Sequence, residues 1–234
     1  MKTFRRVFLI ILALVISFSG AVCYAGYEKY RDALIEYPPE DFIESIREGE
    51  HYTKFNDIAP FYFDAVVSVE DRRFYDHNGF DIIGVLRAVL TAFKSGEVSE
   101  GGSTITQQLV KNLYFPLDYS LERKIAEVFM AVRFEKLLSK DEILELYANS
   151  IYFGSGYYNI YDASQGYYGK YPDELSEYEA SMLAGVPNAP SVYSPDVNPD
   201  LAAKRQMVVL QAMEGEGIIT EDDIERILNS GYTD

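Results

Sequence analysis

Cysteine and histidine are nearly absent from this chain of 234 residues, which has one cysteine, Cys23, and two histidines, His51 and His77. One cysteine excludes a disulfide framework within the chain. So few thiols and imidazoles also exclude a Cys/His zinc cluster, an iron–sulfur cluster and a haem-thiolate site. Basic residues are scarce too, 21 against 37 acidic ones, giving a net charge of −16. That balance argues against nonspecific nucleic-acid binding, which needs a basic surface. Strand alternation bounded by hairpin turns is missing, and so are internal repeats and low-complexity stretches. Apolar material, by contrast, is plentiful: 48% of residues are hydrophobic and 15% aromatic. That rules out a disordered chain, and the length suits one domain with a small extension.

The first apolar block is N-terminal. Residues 1–6 carry Lys2, Arg5 and Arg6 and no acid, and residues 7–25 are almost wholly apolar, with no charge before Glu28. That is long enough for a helix to cross a bilayer. The basic flank predicts a cytoplasmic N-terminus with the remainder outside. A cleaved signal peptide and a lipoprotein cysteine compete with this reading. Cys23-Tyr24-Ala25 is a poor cleavage site, however, and Gly20-Ala21-Val22-Cys23 fits a lipidation signal weakly. The reading adopted is an uncleaved single-pass anchor. Without Lys2, Arg5 and Arg6, 18 basic residues face 37 acidic ones, so the exported part stands near −19.

The expected organisation is a cytoplasmic tail at 1–6, a transmembrane helix at 7–25, a juxtamembrane spacer at 26–60 and a folded domain at 61–234. The spacer is polar and acidic, broken by Pro38-Pro39, with room for one short helix. From Phe61 onward the pattern is helical almost throughout, and the fold class is mainly α. Helices are expected at 61–74 and around Ile82, Ile83, Leu86, Val89, Leu90 and Phe93. Others are expected at 104–113, 120–138, 140–150, 159–168, 176–185, 199–214 and 220–228.

Three segments could carry chemistry. Glu70 closes an apolar run and opens Asp71-Arg72-Arg73-Phe74-Tyr75-Asp76-His77-Asn78-Gly79. A carboxylate at the edge of an apolar face is a candidate acid or base. Taken alone, it reads more simply as a helix C-terminus with solvated charges, and His77 as a turn residue bonded to backbone. In Gly101-Gly102-Ser103-Thr104-Ile105-Thr106-Gln107-Gln108, glycines permit close backbone approach, and Thr104 with Gln107 forms a capping box. Such a helix start is a ready anion site, with Lys111 one turn on, or simply a well-capped helix. In Arg123-Lys124-Ile125-Ala126-Glu127, Arg123 and Glu127 share a helix face. By itself that is a surface ion pair; it gains interest as a second carboxylate to partner Glu70.

In combination these segments resemble the peptidoglycan glycosyltransferases of glycosyltransferase family 51. The stretch from Glu70 to Gly79 resembles the first signature, and Gly101 to Gln108 with Lys111-Asn112 the second. Arg123 to Glu127 resembles the third. Lys140-Asp141-Glu142-Ile143-Leu144-Glu145-Leu146-Tyr147-Ala148-Asn149 with Ile151-Tyr152-Phe153-Gly154 resembles the fourth. Leu183-Ala184-Gly185-Val186-Pro187-Asn188-Ala189-Pro190-Ser191 resembles the fifth. The five occur in the family's order, and the likeness runs over residues 61–213. It is to the monofunctional, membrane-anchored type; no Ser-x-x-Lys or Lys-Thr-Gly motif occurs. Asn159, Tyr161 and Asp162 depart from the usual Gly, Glu and Ala, and Tyr119 stands where some relatives carry an Arg.

The resemblance implies a lysozyme-like, two-lobed fold whose smaller lobe dips into the membrane through residues 80–93, a stretch that periodicity reads equally as a core helix. It implies polymerisation of lipid II onto a growing glycan strand at a bacterial membrane, with release of undecaprenyl pyrophosphate. Other cell-wall synthesis proteins are conceivable partners, and nucleic acid is not. Glu70 would be the general base and Glu127 the assisting carboxylate on the donor side. Arg73, Lys111, Arg123 and Lys124 would face the pyrophosphate, with Ser103, Gln107 and Gln108 as donors. A magnesium or manganese ion is compatible with this chemistry, but no carboxylate cluster identifies its site, and no organic cofactor is implied. Two alternatives remain: a lysozyme-like peptidoglycan hydrolase, which would need no cationic pyrophosphate pocket, and an inactive membrane scaffold, which would need neither glutamate.

Overall fold

The computed structural model describes residues 2–95, 102–116, 118 and 120–231; Gly101 and Tyr119, named above, lie outside the described residues. The chain is mainly α, as expected, with no strand among the described residues. In order the helices are α1 (Lys2–Glu36), α2 (Pro39–Arg47), α3 (Pro60–Glu70), α4 (Ile82–Ser95), α5 (Ile105–Tyr114) and α6 (Leu121–Leu137). They continue with α7 (Lys140–Ala148), α8 (Ile160–Tyr168), α9 (Glu177–Gly185), α10 (Pro190–Tyr193), α11 (Pro199–Gly215) and α12 (Glu221–Ser230).

The starts of these helices follow from local chemistry. Thr104, Ser139, Ser176 and Thr220 each accept a hydrogen bond from the backbone three residues on, and Gln107, Glu142, Glu179 and Asp223 return one to the cap. Each such cap stabilises its helix by about 1 kcal/mol. Proline opens α2, α3, α10 and α11, where its missing N–H costs nothing. Packing then supplies what short helices lack alone. The hub is α3, which buries Tyr62, Phe63, Ala65 and Val66 and packs against α9 and α11. Glu70 is its last residue, so a rod fixed along its length presents this carboxylate. On the other side, α5 lies on α6 and α7.

The N-terminal helix runs past the end of its apolar stretch to Glu36. It is long and apolar enough to cross a membrane, and its first half is exposed. Its last part lies along α6. A Cβ at Gly26 would stand 2.5 Å from Ile125 Cβ and 2.9 Å from the Glu122 carbonyl oxygen, so only glycine permits this approach. Tyr27 and Tyr30 meet the Phe129 ring at 5.4 and 5.6 Å, and Lys29 pairs with Asp118. Residues 26–60, expected as a spacer, also place Ile43, Ile58 and Ala59 in the core. Glu145 of α7 accepts hydrogen bonds from the Tyr52 hydroxyl and the Phe55 N–H, and Asn149 brackets Thr53 with two more.

Helix α4 settles the question that periodicity left open. Ile82, Leu90 and Phe93 are 61%, 60% and 89% exposed, so this helix is no core element but an apolar surface turned outward.

Candidate active site

Both oxygens of the Glu70 carboxylate are held. Arg205 of α11 donates from Nη2 to Oε1 at 2.9 Å, and Gln108 of α5 donates from Nε2 to Oε2 at 2.8 Å. Behind Gln108, the Tyr147 hydroxyl approaches its Oε1 at 3.4 Å. Tyr62 and Tyr147 lie wholly inside, and burial first, then the negative charge of Glu70, pushes both phenols up, so they stay neutral. The site therefore offers one carboxylate, aimed by a cation and an amide and backed by two neutral phenols. Arg205 was not among the residues expected from sequence. It lies 135 residues from Glu70, and its helix shows only a mixed pattern.

The residue after Glu70 does a different job. Both carboxylate oxygens of Asp71 lie 3.0 Å from His77 Nε2, and Oδ2 also accepts the Ile105 N–H at 3.0 Å. The Gly79 N–H donates to His77 Nδ1 at 3.2 Å, so Nδ1 is the bare nitrogen and Nε2 carries the hydrogen. His77 thus does bond to backbone, as expected of a turn residue, and it also holds Asp71, which is itself bonded to α5. At the α5 N-terminus two N–H groups, those of Ile105 and Gln107, are taken by Asp71 and by the Thr104 hydroxyl, so the protein itself caps the helix start. Gln107 is buried, with its Oε1 accepting the Thr104 N–H. It belongs to the cap, whereas Gln108, one residue on, reaches Glu70.

The third segment supplies a buried charge cluster. The Glu127 side chain is only 1% exposed and faces two cations, Lys124 Nζ at 3.0 Å and Arg123 Nε at 3.3 Å. The arginine contact is an ion pair without hydrogen-bond alignment. Lys124 also donates to Ser103 Oγ at 2.6 Å. In place of the surface ion pair expected from spacing there is a buried carboxylate met by two partly exposed cations, which offset its desolvation.

Two recesses meet at Glu70. One, of about 270 Å³, is lined by Arg73, Asp81, Gly84, Arg87 and Thr104 among others. The second, of about 550 Å³, is lined by Asn188, Arg205, Val208 and Gln211 among others. Val69, Glu70, Arg72 and Ser103 form walls of both. Arg73 leans on Asp81 at 3.3 Å. Burial alone would raise the Asp81 pKa, but the N–H groups of Gly84 and Ile83, together with Arg73, bring it below the usual carboxylate range. The structure thus brings Glu70, Arg73, Ser103 and Gln108 together, with Lys124, Arg123 and Glu127 joined through Ser103. Lys111 is half-buried on α5 and lines neither recess. The departures Asn159, Tyr161 and Asp162 are remote from both: Asn159 caps α8, and His51 pairs with Asp162 and packs on Tyr161.

Among the described residues, the carboxylates near the recesses are engaged by protein groups. Glu127 is engaged by two cations, Glu70 by Arg205, and Asp71 by His77 and the Ile105 N–H. No group of three metal-ligating side chains occurs among the described residues.

A family model described as Transglycosylase matches residues 40–214. A Cupriavidus necator protein, assigned provisionally by its name to the transglycosylases, is 44% identical over 193 residues, covering 82% of this chain and 83% of its own. Penicillin-binding protein 1A of Neisseria flavescens is 48% identical over 169 residues, 72% of this chain and 21% of that one. Its namesake in Escherichia coli is 46% identical over 179 residues, 75% and 21% respectively. The chain thus spans about a fifth of the length of these penicillin-binding proteins. The chain belongs to the transglycosylase family.

Proposed function

We propose that the protein is a peptidoglycan glycosyltransferase that polymerises lipid II into β-1,4-linked glycan strands, releasing undecaprenyl pyrophosphate, in bacterial cell-wall synthesis. The observation that carries this reading is the position of Glu70, where two cation-walled recesses meet near an outward-facing apolar helix. Joining two lipid-borne sugars requires two pockets that share one base. One seats the acceptor N-acetylglucosamine with its 4-hydroxyl against the Glu70 carboxylate. The other presents C1 of the N-acetylmuramic acid at the reducing end of the growing strand.

Chemically, the hydroxyl proton passes to Glu70 as its oxygen forms a bond to C1. The bond from C1 to the pyrophosphate oxygen breaks, with inversion from α to β. A sugar hydroxyl is a poor nucleophile at neutral pH, and a positioned base contributes about 10² to 10⁴-fold. Negative charge accumulates on the departing pyrophosphate, so fixed cations stabilise the transition state more than the ground state. Lys124 and Arg123 are held for that task by Glu127, which works by placing two cations rather than by taking a proton. Arg73 and Ser103 supply further donors from the recess walls.

The basic flank of α1 supports a cytoplasmic N-terminus with the domain outside. The test is incubation of the purified protein with lipid II in detergent, followed by analysis of the products. Glycan strands longer than the substrate disaccharide support the reading. Release of short muropeptides from purified wall, with no polymer from lipid II, would replace it with a hydrolase.

A further inference from the structure

The Glu70–Arg205 ion pair joins the first signature segment to α11, and Arg205 in turn rests on Gly185 of the fifth. Arg205 donates to Glu70 Oε1 at 2.9 Å, and its Nε lies 3.4 Å from the Gly185 carbonyl oxygen. Gly185 gives it room: a Cβ there would stand 3.0 Å from Arg205 Cγ and 3.4 Å from Val209 Cγ2. The Tyr193 ring lies 6.0 Å from the guanidinium carbon, at cation–π distance. Seat and carbonyl come from the last residue of α9 and the ring from the last residue of α10, and together they aim one guanidinium at one carboxylate oxygen. On the opposite side Gln108 holds Oε2.

We infer that Arg205 is the positioning residue for Glu70, and that Gly185 of the fifth signature acts by seating Arg205 rather than by touching substrate. This inference rests on the reading of Glu70 as the base. Fixing the carboxylate from two sides leaves it a single orientation toward the acceptor hydroxyl, and a misplacement of about 1 Å at such a contact costs about 10²-fold.

The experiment compares the full-length parent with Arg205→Met, Arg205→Lys, Gly185→Ala and Glu70→Gln in detergent, measuring kcat and KM for lipid II. Arg205→Met should lower kcat about 10²-fold and leave KM within about threefold. Arg205→Lys should recover part of kcat. Should Arg205→Met fail to fold, Gly185→Ala keeps the charge and shifts the side chain, so kcat should fall while KM stays near its parental value. A raised KM with unchanged kcat in Arg205→Met would make Arg205 a substrate contact and overturn the inference. So would equal losses in the Met and Lys variants. If Glu70→Gln remains active, it is the assignment of the base that fails; if Glu70→Gln is dead while Arg205→Met behaves as parent, only the positioning role fails.

Discussion

Replacing Asp71 should unfasten the first signature from α5, and the cost follows from the atoms it holds. In Asp71→Ala, two buried donors lose their acceptor: the Ile105 N–H at 3.0 Å and the His77 Nε2–H at 3.0 Å. Each unpaired buried donor costs about 1–3 kcal/mol. Loss of a negative charge at a helix N-terminus adds about 0.3–1 kcal/mol. Some relaxation of the imidazole is expected, so the total falls at roughly 2–5 kcal/mol, a large part of the roughly 5–15 kcal/mol that holds a domain folded. Asp71→Asn should be intermediate. Its oxygen can still accept from Ile105, but its amide nitrogen then meets the Nε2–H of His77, donor against donor. Switching the imidazole tautomer does not help, because Nδ1–H would then face the Gly79 N–H. In a domain of this size about 1 kcal/mol shifts Tm by about 2–4 °C. Thermal unfolding in detergent, followed by tyrosine absorbance or circular dichroism, should rank parent above Asn above Ala. An Asp71→Ala variant melting within about 1 °C of the parent would refute the network.

Other consequences are equally direct. A chain lacking residues 1–21 keeps Gly26, Lys29 and Tyr30 against α6 and should still sediment with liposomes through α4. With Phe80→Ser and Ile83→Ser it should lose that binding with little change in melting, since exposed positions usually move stability by less than about 0.5 kcal/mol. Unfolding of the double variant would return these residues to the core. Lys124→Met removes a cation bonded to Ser103 and Glu127 and should weaken binding of a pyrophosphate-bearing donor analogue about 10- to 100-fold, the worth of one charged hydrogen bond. Lys111→Ala should weaken it less: neither lysine lines a recess, but Lys124 is bonded to Ser103, which walls both; an equal or larger loss would put the cationic pocket on α5.

Much of this arrangement was open to inspection in the residue order, for identifiable reasons. Helix α6 was expected at 120–138 and spans Leu121–Leu137 with Ser120 as its cap, because cap chemistry and periodicity are local. The Glu127 pairs with Arg123 and Lys124 were readable at three- and four-residue spacing, whereas their burial was not. What could not be read depends on contacts between distant segments. Helix α1 was expected to end where its apolar run does, near residue 25; instead Gly26 and Tyr30 dock on α6, Lys29 pairs with Asp118 just before it, and the helix runs to Glu36. Arg205 sits in a helix whose surface and interior positions alternate without a clean stripe, so nothing local separates it from a solvated arginine. The α5 start, which the sequence left open between an anion site and a capped helix, also depends on a distant contact. Its Gly-Gly-Ser-Thr run announces free N–H groups, but the carboxylate that takes one of them comes from Asp71, 34 residues earlier.

The central claim is that one carboxylate, Glu70, takes the proton of the acceptor hydroxyl. Glu70→Gln keeps the size of the side chain and can still accept from Arg205, but it cannot take the proton. Lipid II turnover by this variant, measured beside its circular dichroism spectrum and that of the parent, tests the claim most directly. The account predicts an unchanged spectrum and a rate reduced by about 10² to 10⁴-fold. A folded variant that polymerises lipid II within about tenfold of the parent would contradict it.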